Sequence, residues 1–364
     1  MRDRRDEKIV VRKAGHEDLD AIIKFHKKLY AGDPYYRDNQ TRTIKALFKR
    51  KMEIQKTSEI VPIVAEKGDE IVASAFLAVI DRMKDTVQIA FLEMEDDRSV
   101  AGSIIDHAKI FAKERGIAKI LIGLDLHVNY GLGILSEGFD KIRSIGSSYN
   151  LSYYAKNLEP FASRVKELVS FRGEIGALDL KISPKLQERL AHFEIRHADL
   201  KNIEESAKTY SFINNQAFTE HDYYYESREK EDIELFKEYK LFLKPENILF
   251  AYKDGGPVAF VLWYPDFNQL IGPGQELGVK AFIKSRLFPK SIDTIKLTEF
   301  GVIPKYRRTG AIYALLKHCY ELNKDRYRYI GSGWILSGNH ASSNLTSKFL
   351  KEESARYKVF EIDI

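Results

Sequence analysis

Residues 294–310 read Thr294-Ile295-Lys296-Leu297-Thr298-Glu299-Phe300-Gly301-Val302 and continue as Ile303-Pro304-Lys305-Tyr306-Arg307-Arg308-Thr309-Gly310. Ile295 and Leu297 alternate with polar residues, which predicts a strand with one apolar face. The alternation then changes phase, because Glu299 falls in line with Ile295 and Leu297. Phe300 and Val302 have the other parity. A β-bulge produces such a change of face and often re-aims side chains beside an active site.

The segment after this strand is predicted to be a basic loop that leads into a helix. Pro304 ends the strand, and a helix from about Ala311 is predicted by apolar residues at helical spacing, namely Ile312, Leu315, Leu316, Cys319 and Tyr320. Free N–H groups at a helix start form an anion site, and Gly310 lets a phosphate approach the backbone. Arg307 and Arg308 add charge-assisted hydrogen bonds. The same pattern also occurs without a ligand, with Pro and Gly as turn punctuation.

The chain repeats itself once. Residues 65–73 and 251–259 align without a gap at an offset of 186 residues, and each reads as a β-hairpin with a Gly-containing turn. Further on the offset becomes 210, where residues 99–115 match 309–325 and residues 117–122 match 327–332. The second half therefore contains 24 extra residues, which fit between Pro265 and Asp293. This self-similarity predicts a duplicated fold.

Each half reads as strand, helices, hairpin, strand, helix and strand. That order predicts an α/β protein of the α+β kind, with a mixed sheet made of an antiparallel front and a βαβ unit behind. Ser183-Pro184 interrupts the pattern between the halves. We therefore predict two domains, residues 8–184 and 190–364.

The decisive stretch resembles motif A of the GNAT N-acetyltransferase superfamily, in which an R/Q-x-x-G-x-G/A loop binds the coenzyme A pyrophosphate. The resemblance rests on residues 297–310, and residues 334–339 are similar to the following strand and its asparagine. Residues 262–268 and 132–140 look like segments of a mostly uncharacterised bacterial family of two-domain GNAT-like proteins. The resemblance implies tandem GNAT-like, acyl-CoA N-acyltransferase domains, with the cofactor site in the second.

The resemblance implies a set of site residues. The predicted contacts to acyl-coenzyme A are Gly301, Val302, Arg307, Arg308, Thr309, Gly310, Ala311, Ile312 and Asn339. Those predicted to contact the acceptor are Trp263, Asp266, Asn268 and Trp334. Glu299 is the candidate base; alternatively it is an edge carboxylate paired with Lys296 or Arg307. Two positions depart from the family pattern: Ile312 stands at the final Gly/Ala position, and Thr346 stands where a tyrosine often serves as the acid for the departing thiolate.

The function that the resemblance implies is acyl-CoA-dependent N-acyl transfer by direct attack of an amine. Acetyl from acetyl-CoA is the default group, and the acceptor is a small-molecule or peptide amine. Two alternatives remain open: a non-catalytic protein that binds coenzyme A or a partner, and a tandem transferase that uses longer acyl or aminoacyl donors. At the offset of 210 residues, Asp97 stands where the second half has Arg307, and Val100 stands where it has Gly310. The first half is therefore predicted to lack the cofactor.

Composition restricts the remaining function classes. The 364 residues have a net charge of +5, with 58 basic and 53 acidic residues interspersed, which is too weak a bias to argue for nucleic acid. Cys319 is the single cysteine, so no internal disulfide forms, and the nine histidines show no metal spacing. No apolar run is long enough to span a bilayer, and the charged start Met1–Glu7 is not predicted to act as a secretory signal. We expect a cytoplasmic monomer or homodimer without metal or membrane contact.

Overall fold

A single mixed sheet runs through the protein. The computed structural model describes residues 7–178 and 183–364, so the start of the chain on which the signal prediction depends lies largely outside the described residues. The strands are β1 Ile9–Lys13, β2 Glu59–Lys67, β3 Glu70–Ile80, β4 Met83–Met94, β5 Lys119–Ile122, β6 Ile134–Glu137, β7 Arg164–Glu174, β8 Glu194–His197, β9 Ile248–Lys253, β10 Gly256–Pro265, β11 Thr294–Val302, β12 Tyr329–Ser332, β13 Ile335–Leu336 and β14 Glu352–Asp363. This confirms the predicted α/β class with a mixed sheet.

Helices cover both faces of the sheet. Their bounds are α1 Leu19–Leu29, α2 Thr41–Phe48, α3 Arg98–Lys113, α4 Tyr153–Leu158, α5 Pro184–Leu190, α6 Ile203–Ala217, α7 Glu229–Tyr239, α8 Val279–Leu287, α9 Ala311–Asn323 and α10 His340–Phe349. In the first half α3 packs against the buried side chains of β3, β4 and β5, and in the second half α9 packs in the same way against β9, β10 and β11.

The duplication predicted from the sequence is confirmed element by element. The hairpins β2–β3 and β9–β10 turn at positions 186 residues apart, and β5 and β12 start 210 residues apart. The pairing of the following strands is also equivalent: β4 pairs with β5 in parallel in the first half, and β11 pairs with β12 in parallel in the second. The 24 extra residues of the second half contain α8, a helix without a counterpart in the first half.

The last strand of each half lies in the sheet of the other half. The order is β1-β2-β3-β4-β5-β14-β7-β12-β11-β10-β9-β8, so β14 pairs with β5 of the first half and β7 pairs with β12 of the second. The two exchanged strands also pair with each other, from Glu352↔Arg172 to Glu361↔Arg164. Phe360 and Ile362 of β14 consequently belong to the apolar core around α3. The predicted boundary between 184 and 190 divides the chain but does not divide the sheet.

Phe360 tests how far the two halves depend on this exchange. We expect Phe360→Ala to lower the free energy of unfolding by about 3–5 kcal/mol, because the ring is fully buried among first-half side chains. We also expect one cooperative transition in urea, followed by circular dichroism and tryptophan fluorescence; both tryptophans, Trp263 and Trp334, lie in the second half.

Ile364→Ala is the matched control, since Ile364 is 37% exposed at the end of the same segment. A fluorescence transition that keeps its wild-type midpoint in Phe360→Ala would show that the halves unfold independently.

Candidate functional site

A cavity of about 190 Å³ lies where β11 changes face, between the sheet, α6, α7 and residues 145–146 of the first half. Its walls are largely apolar, and prominent members are Phe218, Phe236, Tyr239, Phe242, Leu262 and Phe300. It adjoins a more polar cavity of about 90 Å³ along the junction of the halves, with Ile145, Gly146 and Tyr239 in both walls. Such a concave space with few polar groups is typical of a small-molecule site.

The predicted β-bulge is confirmed, and it turns Glu299 into this cavity. Glu299 lies opposite Leu262 while Leu297 lies opposite Trp263, so Thr298 is the extra residue. Without the bulge Glu299 would share a face with Leu297; with it, Glu299 lies on the face of Lys296, and both line the cavity. The bulge therefore places the carboxyl group of Glu299 in the cavity wall.

Glu299 is held by Tyr210 of α6, whose hydroxyl donates to Glu299 Oε2 over 2.7 Å. Burial raises the pKa of Glu299 to about 7; the Tyr210 hydrogen bond opposes this shift, and the nearby charge of Asp232 adds to it. Neither Lys296 nor Arg307 pairs with Glu299. Lys296 Nζ donates to the carbonyl oxygen of Ile145 and to Ser147 Oγ, and Arg307 Nη1 donates to Glu220 Oε2 over 2.8 Å. The geometry suits a carboxyl group that takes up a proton near neutral pH.

Strands β11 and β12 separate just beyond the bulge. Their parallel pairing ends at Leu297↔Ser332, and the next contact is Gly333 N–H donating to the Leu297 carbonyl oxygen. A Cβ atom on Gly333 would lie 2.4 Å from the Thr298 carbonyl oxygen, so only glycine fits here. The separation exposes the outer edge of β11 toward α9 and α10.

The first half shows which backbone amide this separation leaves available. In the equivalent strand, Met94 N–H donates to the Tyr154 hydroxyl over 2.8 Å, while Glu95 N–H donates to Val72. Ile303 N–H likewise donates to Val258, so Val302 occupies the position of Met94. Among the described residues nothing accepts from Val302 N–H. In the second half this donor therefore faces the gap that Tyr154 fills in the first.

The loop after β11 ends in a helix start with unpaired donors. A short 3-10 turn, Pro304–Tyr306, precedes two residues of positive φ, Arg308 at 63° and Gly310 at 105°, and α9 begins at Ala311 as predicted. Within the described residues, the amides of Ala311, Ile312 and Tyr313 have no hydrogen-bond acceptor. This is the arrangement of an anion site at a helix N-terminus.

The structure corrects the reason for the glycine at position 310. A Cβ atom there would lie 3.1 Å from Leu190 Cδ2 of α5, so that side faces apolar side chains and not a free approach path. Glycine is required by the left-handed backbone and by the packing of α5. Of the two arginines, Arg307 ties the loop to α6 through Glu220 and the Ala217 carbonyl oxygen, while Arg308 is exposed without a carboxylate partner among the described residues.

The four predicted acceptor residues separate into two groups. Trp334 lines the cavity, as does Asn339, which caps α10 by accepting from Ser342 N–H. Trp263 lies on the other face of β10, fully buried against α9. Asp266 accepts from Ile145 N–H, and Asn268 donates to the Arg143 carbonyl oxygen, so both join the second half to the first.

The two positions that depart from the family pattern lie apart. Thr346 lines the cavity, whereas Ile312 is half-buried beside the core under α9.

Three cavity residues, Tyr210, His221 and Lys296, were not singled out from the sequence. His221 Nδ1 accepts from Tyr223 N–H over 3.2 Å, and its Nε2, shielded from water, has no partner among the described residues. Burial lowers the pKa of His221 to about 4, so the ring is neutral. Tyr210 and His221 come from α6 and the segment after it, far from β11 in sequence, and no local pattern marks them. Lys296 could have been identified from the sequence, because a bulge between it and Glu299 places both side chains on the same face of β11.

The corresponding region of the first half is filled. Asp97 caps α3 by accepting from Ser99 N–H over 2.8 Å, so one donor at that helix start is already satisfied. Tyr154 also donates to Glu93, and burial raises the pKa of Glu93 to about 8. In the parts of the chain that the structure describes, no cluster of histidine, cysteine and carboxylate side chains could hold a metal ion, and no helix has the length and apolarity to cross a membrane.

Residues 213–349 match the model of the acetyltransferase (GNAT) family. Over its whole length the chain is similar to Protein YghO of Escherichia coli strain K12, with 25% identity, covering 95% of this chain and 93% of the relative. It is also 20% identical to the bacterial ceramide synthase of Caulobacter vibrioides, over 73% of this chain and 72% of the relative.

Two solved structures share the fold over nearly the whole chain at low sequence identity. A tandem GNAT protein from the clavulanic acid biosynthesis pathway superposes with a TM-score of 0.54 at 11% identity, covering 98% of each chain. A GCN5-related N-acetyltransferase from Sphaerobacter thermophilus gives 0.54 at 12% identity, covering 100% of this chain and 96% of the other. These likenesses concern the fold alone.

The raised pKa of Glu299 predicts a pH-dependent stability. A carboxyl group whose pKa is higher when folded favours the native state at low pH, and that stability is lost as pH rises from 4.5 toward 7. We therefore expect Glu299→Gln to gain stability relative to wild type between pH 5 and pH 8, by no more than about 3 kcal/mol. Urea unfolding at the two pH values measures the difference.

Glu188→Gln, at an exposed position of α5, is the control and should show no such change. An equal stability difference between Glu299→Gln and wild type at both pH values would mean that the carboxyl group titrates normally.

Proposed function

We propose that this chain, in which residues 213–349 match the acetyltransferase (GNAT) family and the fold is that of a tandem GNAT protein, transfers an acyl group from acyl-coenzyme A to an amine in its second half. The observation that carries the proposal is the placement of Glu299. The bulge turns this carboxyl group, with its raised pKa, into a largely apolar cavity beside the gap between β11 and β12. The site thus has a base on one side and free backbone donors on the other.

The donors at the gap are suited to coenzyme A. We propose that the amides of Gly310, Ala311 and Ile312 bind the pyrophosphate, with Arg308 as the neighbouring cation and Arg307 holding the loop on α6. The predicted amide contact of Thr309 is not retained, because Thr309 N–H donates to the Tyr306 carbonyl oxygen. Val302 N–H, with the backbone at Gly301, would bind the pantetheine arm along the edge of β11, and Asn339 would border it on the α10 side. Ile312 contributes its amide, for which the side chain is immaterial.

The acyl transfer itself needs an amine, a thioester and a proton acceptor. The amine nitrogen attacks the thioester carbon, and Glu299 as a carboxylate takes one proton from the nitrogen. The carbon–sulfur bond then breaks, and the thiolate takes a proton from solvent or from the protonated Glu299. Thr346 supplies no phenol at the usual acid position, so the proposal assigns no acid role there. Trp334 would form the wall against which the acceptor is oriented.

A second candidate is an acyl transfer that involves a long apolar chain. Either the donor carries a long acyl group in place of acetyl, or the acceptor is an amphiphilic amine. The apolar lining of the cavity favours it, and the Caulobacter relative is named a ceramide synthase. The non-catalytic alternative differs from both by predicting affinity for coenzyme A without turnover.

The cofactor loop is tested with Arg308→Asn, because asparagine tolerates the left-handed backbone at φ 63° that alanine would strain. We expect coenzyme A to bind about tenfold more weakly, through loss of one charge-assisted phosphate contact. Calorimetry with coenzyme A, acetyl-CoA and a long-chain acyl-CoA should give one site per chain, because Asp97 and Tyr154 occupy the equivalent region of the first half.

Lys305→Ala is the matched control, since Lys305 is an exposed cation of the same loop. Two equivalent sites per chain, or equal weakening by both variants, would contradict the assignment.

The base is tested with Glu299→Gln and a panel of amines, with release of the coenzyme A thiol as the assay. We expect kcat to fall by about 10²–10³-fold, with little change in coenzyme A affinity. In the wild type kcat/KM should rise with pH through about 7, as the carboxyl group loses its proton, and this limb should vanish in the variant.

Glu188→Gln should retain the wild-type pH profile. A limb that persists in Glu299→Gln would exclude the base role, and wild-type protein that binds acyl-CoA but releases no thiol with any amine would favour the non-catalytic alternative.

A further inference from the structure

Helix α8 carries an unusual exposed surface. It lies in the extra segment of the second half and docks on the protein through Ala281 and Phe282. Its other side exposes Val279, Ile283 and Leu287, which are 65%, 48% and 67% exposed, and Phe288 directly follows at 61%. Eleven large apolar side chains are exposed in the described parts of the chain, and six of them lie here: these four with Tyr239 and Leu241. The exposure is therefore concentrated, not scattered.

The exposed apolar residues form a stripe with cations on both sides. Val279, Ile283 and Leu287 repeat every four residues and so share one face of the helix. Lys280 and Lys284 lie along one border of that face, and Arg286 lies along the other. The segment from 277 to 292 contains no acidic residue, and none of these cations has a carboxylate within 4.0 Å among the described residues. An exposed apolar stripe that is bordered by cations suits the interface of an anionic bilayer.

The stripe adjoins the opening of the functional cavity. Arg286 reaches the Leu241 carbonyl oxygen at 3.5 Å, which brings α8 beside the end of α7. Tyr239, at that end, is 37% exposed and lines both cavities, and the neighbouring Phe242 also lines both. An apolar chain that left a bilayer at α8 would therefore meet the aromatic residues at the edge of the cavity.

We propose that α8 is a membrane-docking helix that binds the surface of an anionic phospholipid bilayer. The sequence predicted no membrane contact because no segment is long enough to span a bilayer; a helix lying in the interface needs only an exposed stripe. A second copy of the chain fits the same surface poorly, because a symmetric contact would bring the cations Lys280, Lys284 and Arg286 of one copy close to those of the other. Anionic headgroups instead neutralise these cations while the aliphatic stripe enters the acyl region.

The test is co-sedimentation of the full chain with vesicles of phosphatidylcholine alone or mixed with phosphatidylglycerol. We expect wild-type protein to pellet with the mixed vesicles and much less with phosphatidylcholine. Ile283→Asp with Leu287→Asp should weaken this binding roughly tenfold or more, because two carboxylates replace the inserted side chains. Lys280→Gln with Lys284→Gln should reduce the dependence on phosphatidylglycerol.

The matched control combines Ile110→Asp with Phe212→Asp, two exposed apolar positions on α3 and α6 that are 59% and 53% exposed. It should bind vesicles as wild type does. Wild-type protein that stays in the supernatant with both vesicle types would overturn the proposal. So would equal losses in the control, or light scattering that finds a dimer which Ile283→Asp with Leu287→Asp dissociates. None of these readouts requires turnover, so failure of the proposed transferase activity would be seen separately.

Discussion

The pairing of β7 with β14 is the contact on which the rest of the structure depends. Each strand ends its own half in sequence and completes the sheet of the other half, so neither core closes without the other. The exchange also draws the loop at residues 143–147 against β11, where Lys296, Asp266 and Asn268 hold it by hydrogen bonds. One wall of the cavity in the second half is consequently made of first-half backbone.

The two halves show how one fold yields a filled and an open version of the same gap. Both have a bulge in the strand that precedes the long helix. In the first half Tyr154 occupies the strand amide and Asp97 the helix start, so that region is internally satisfied. In the second half the corresponding donors, Val302 and the amides of Ala311 and Ile312, are left unpaired. A ligand in the gap would satisfy these donors, as Tyr154 and Asp97 do in the first half.

The sequence was informative wherever the signal was local. Hydrophobic alternation and its phase break predicted a bulge beside Glu299, which the structure places at Thr298. Fixed offsets located both hairpins, and the spacing of apolar residues located the start of α9. The reason for Gly310 could not be read locally, because it depends on Leu190 of a helix more than a hundred residues earlier. Tyr210 and His221 were missed for the same reason: their place in the cavity wall follows from how α6 packs on the sheet. The strand exchange is equally invisible, because hydrophobic pattern does not specify which sheet edge a strand joins.

The placement of Asp266 and Asn268 also changes what kind of acceptor the site suits. As substrate contacts they would have given the cavity a polar floor. Asp266 Oδ1 and Asn268 Nδ2 instead bind the 143–145 backbone, and the cavity beside Glu299 is lined largely by aromatic and aliphatic side chains. A charged ammonium enters such surroundings at a high desolvation cost, whereas a neutral amine on an apolar body does not. In the proposed reaction Glu299, whose pKa is near 7, would then accept the proton that the amine loses on acylation. The apolar cavity, the carboxyl group and the exposed stripe of α8 are therefore consistent with one another: each suits an amine or acyl chain that is poorly soluble in water.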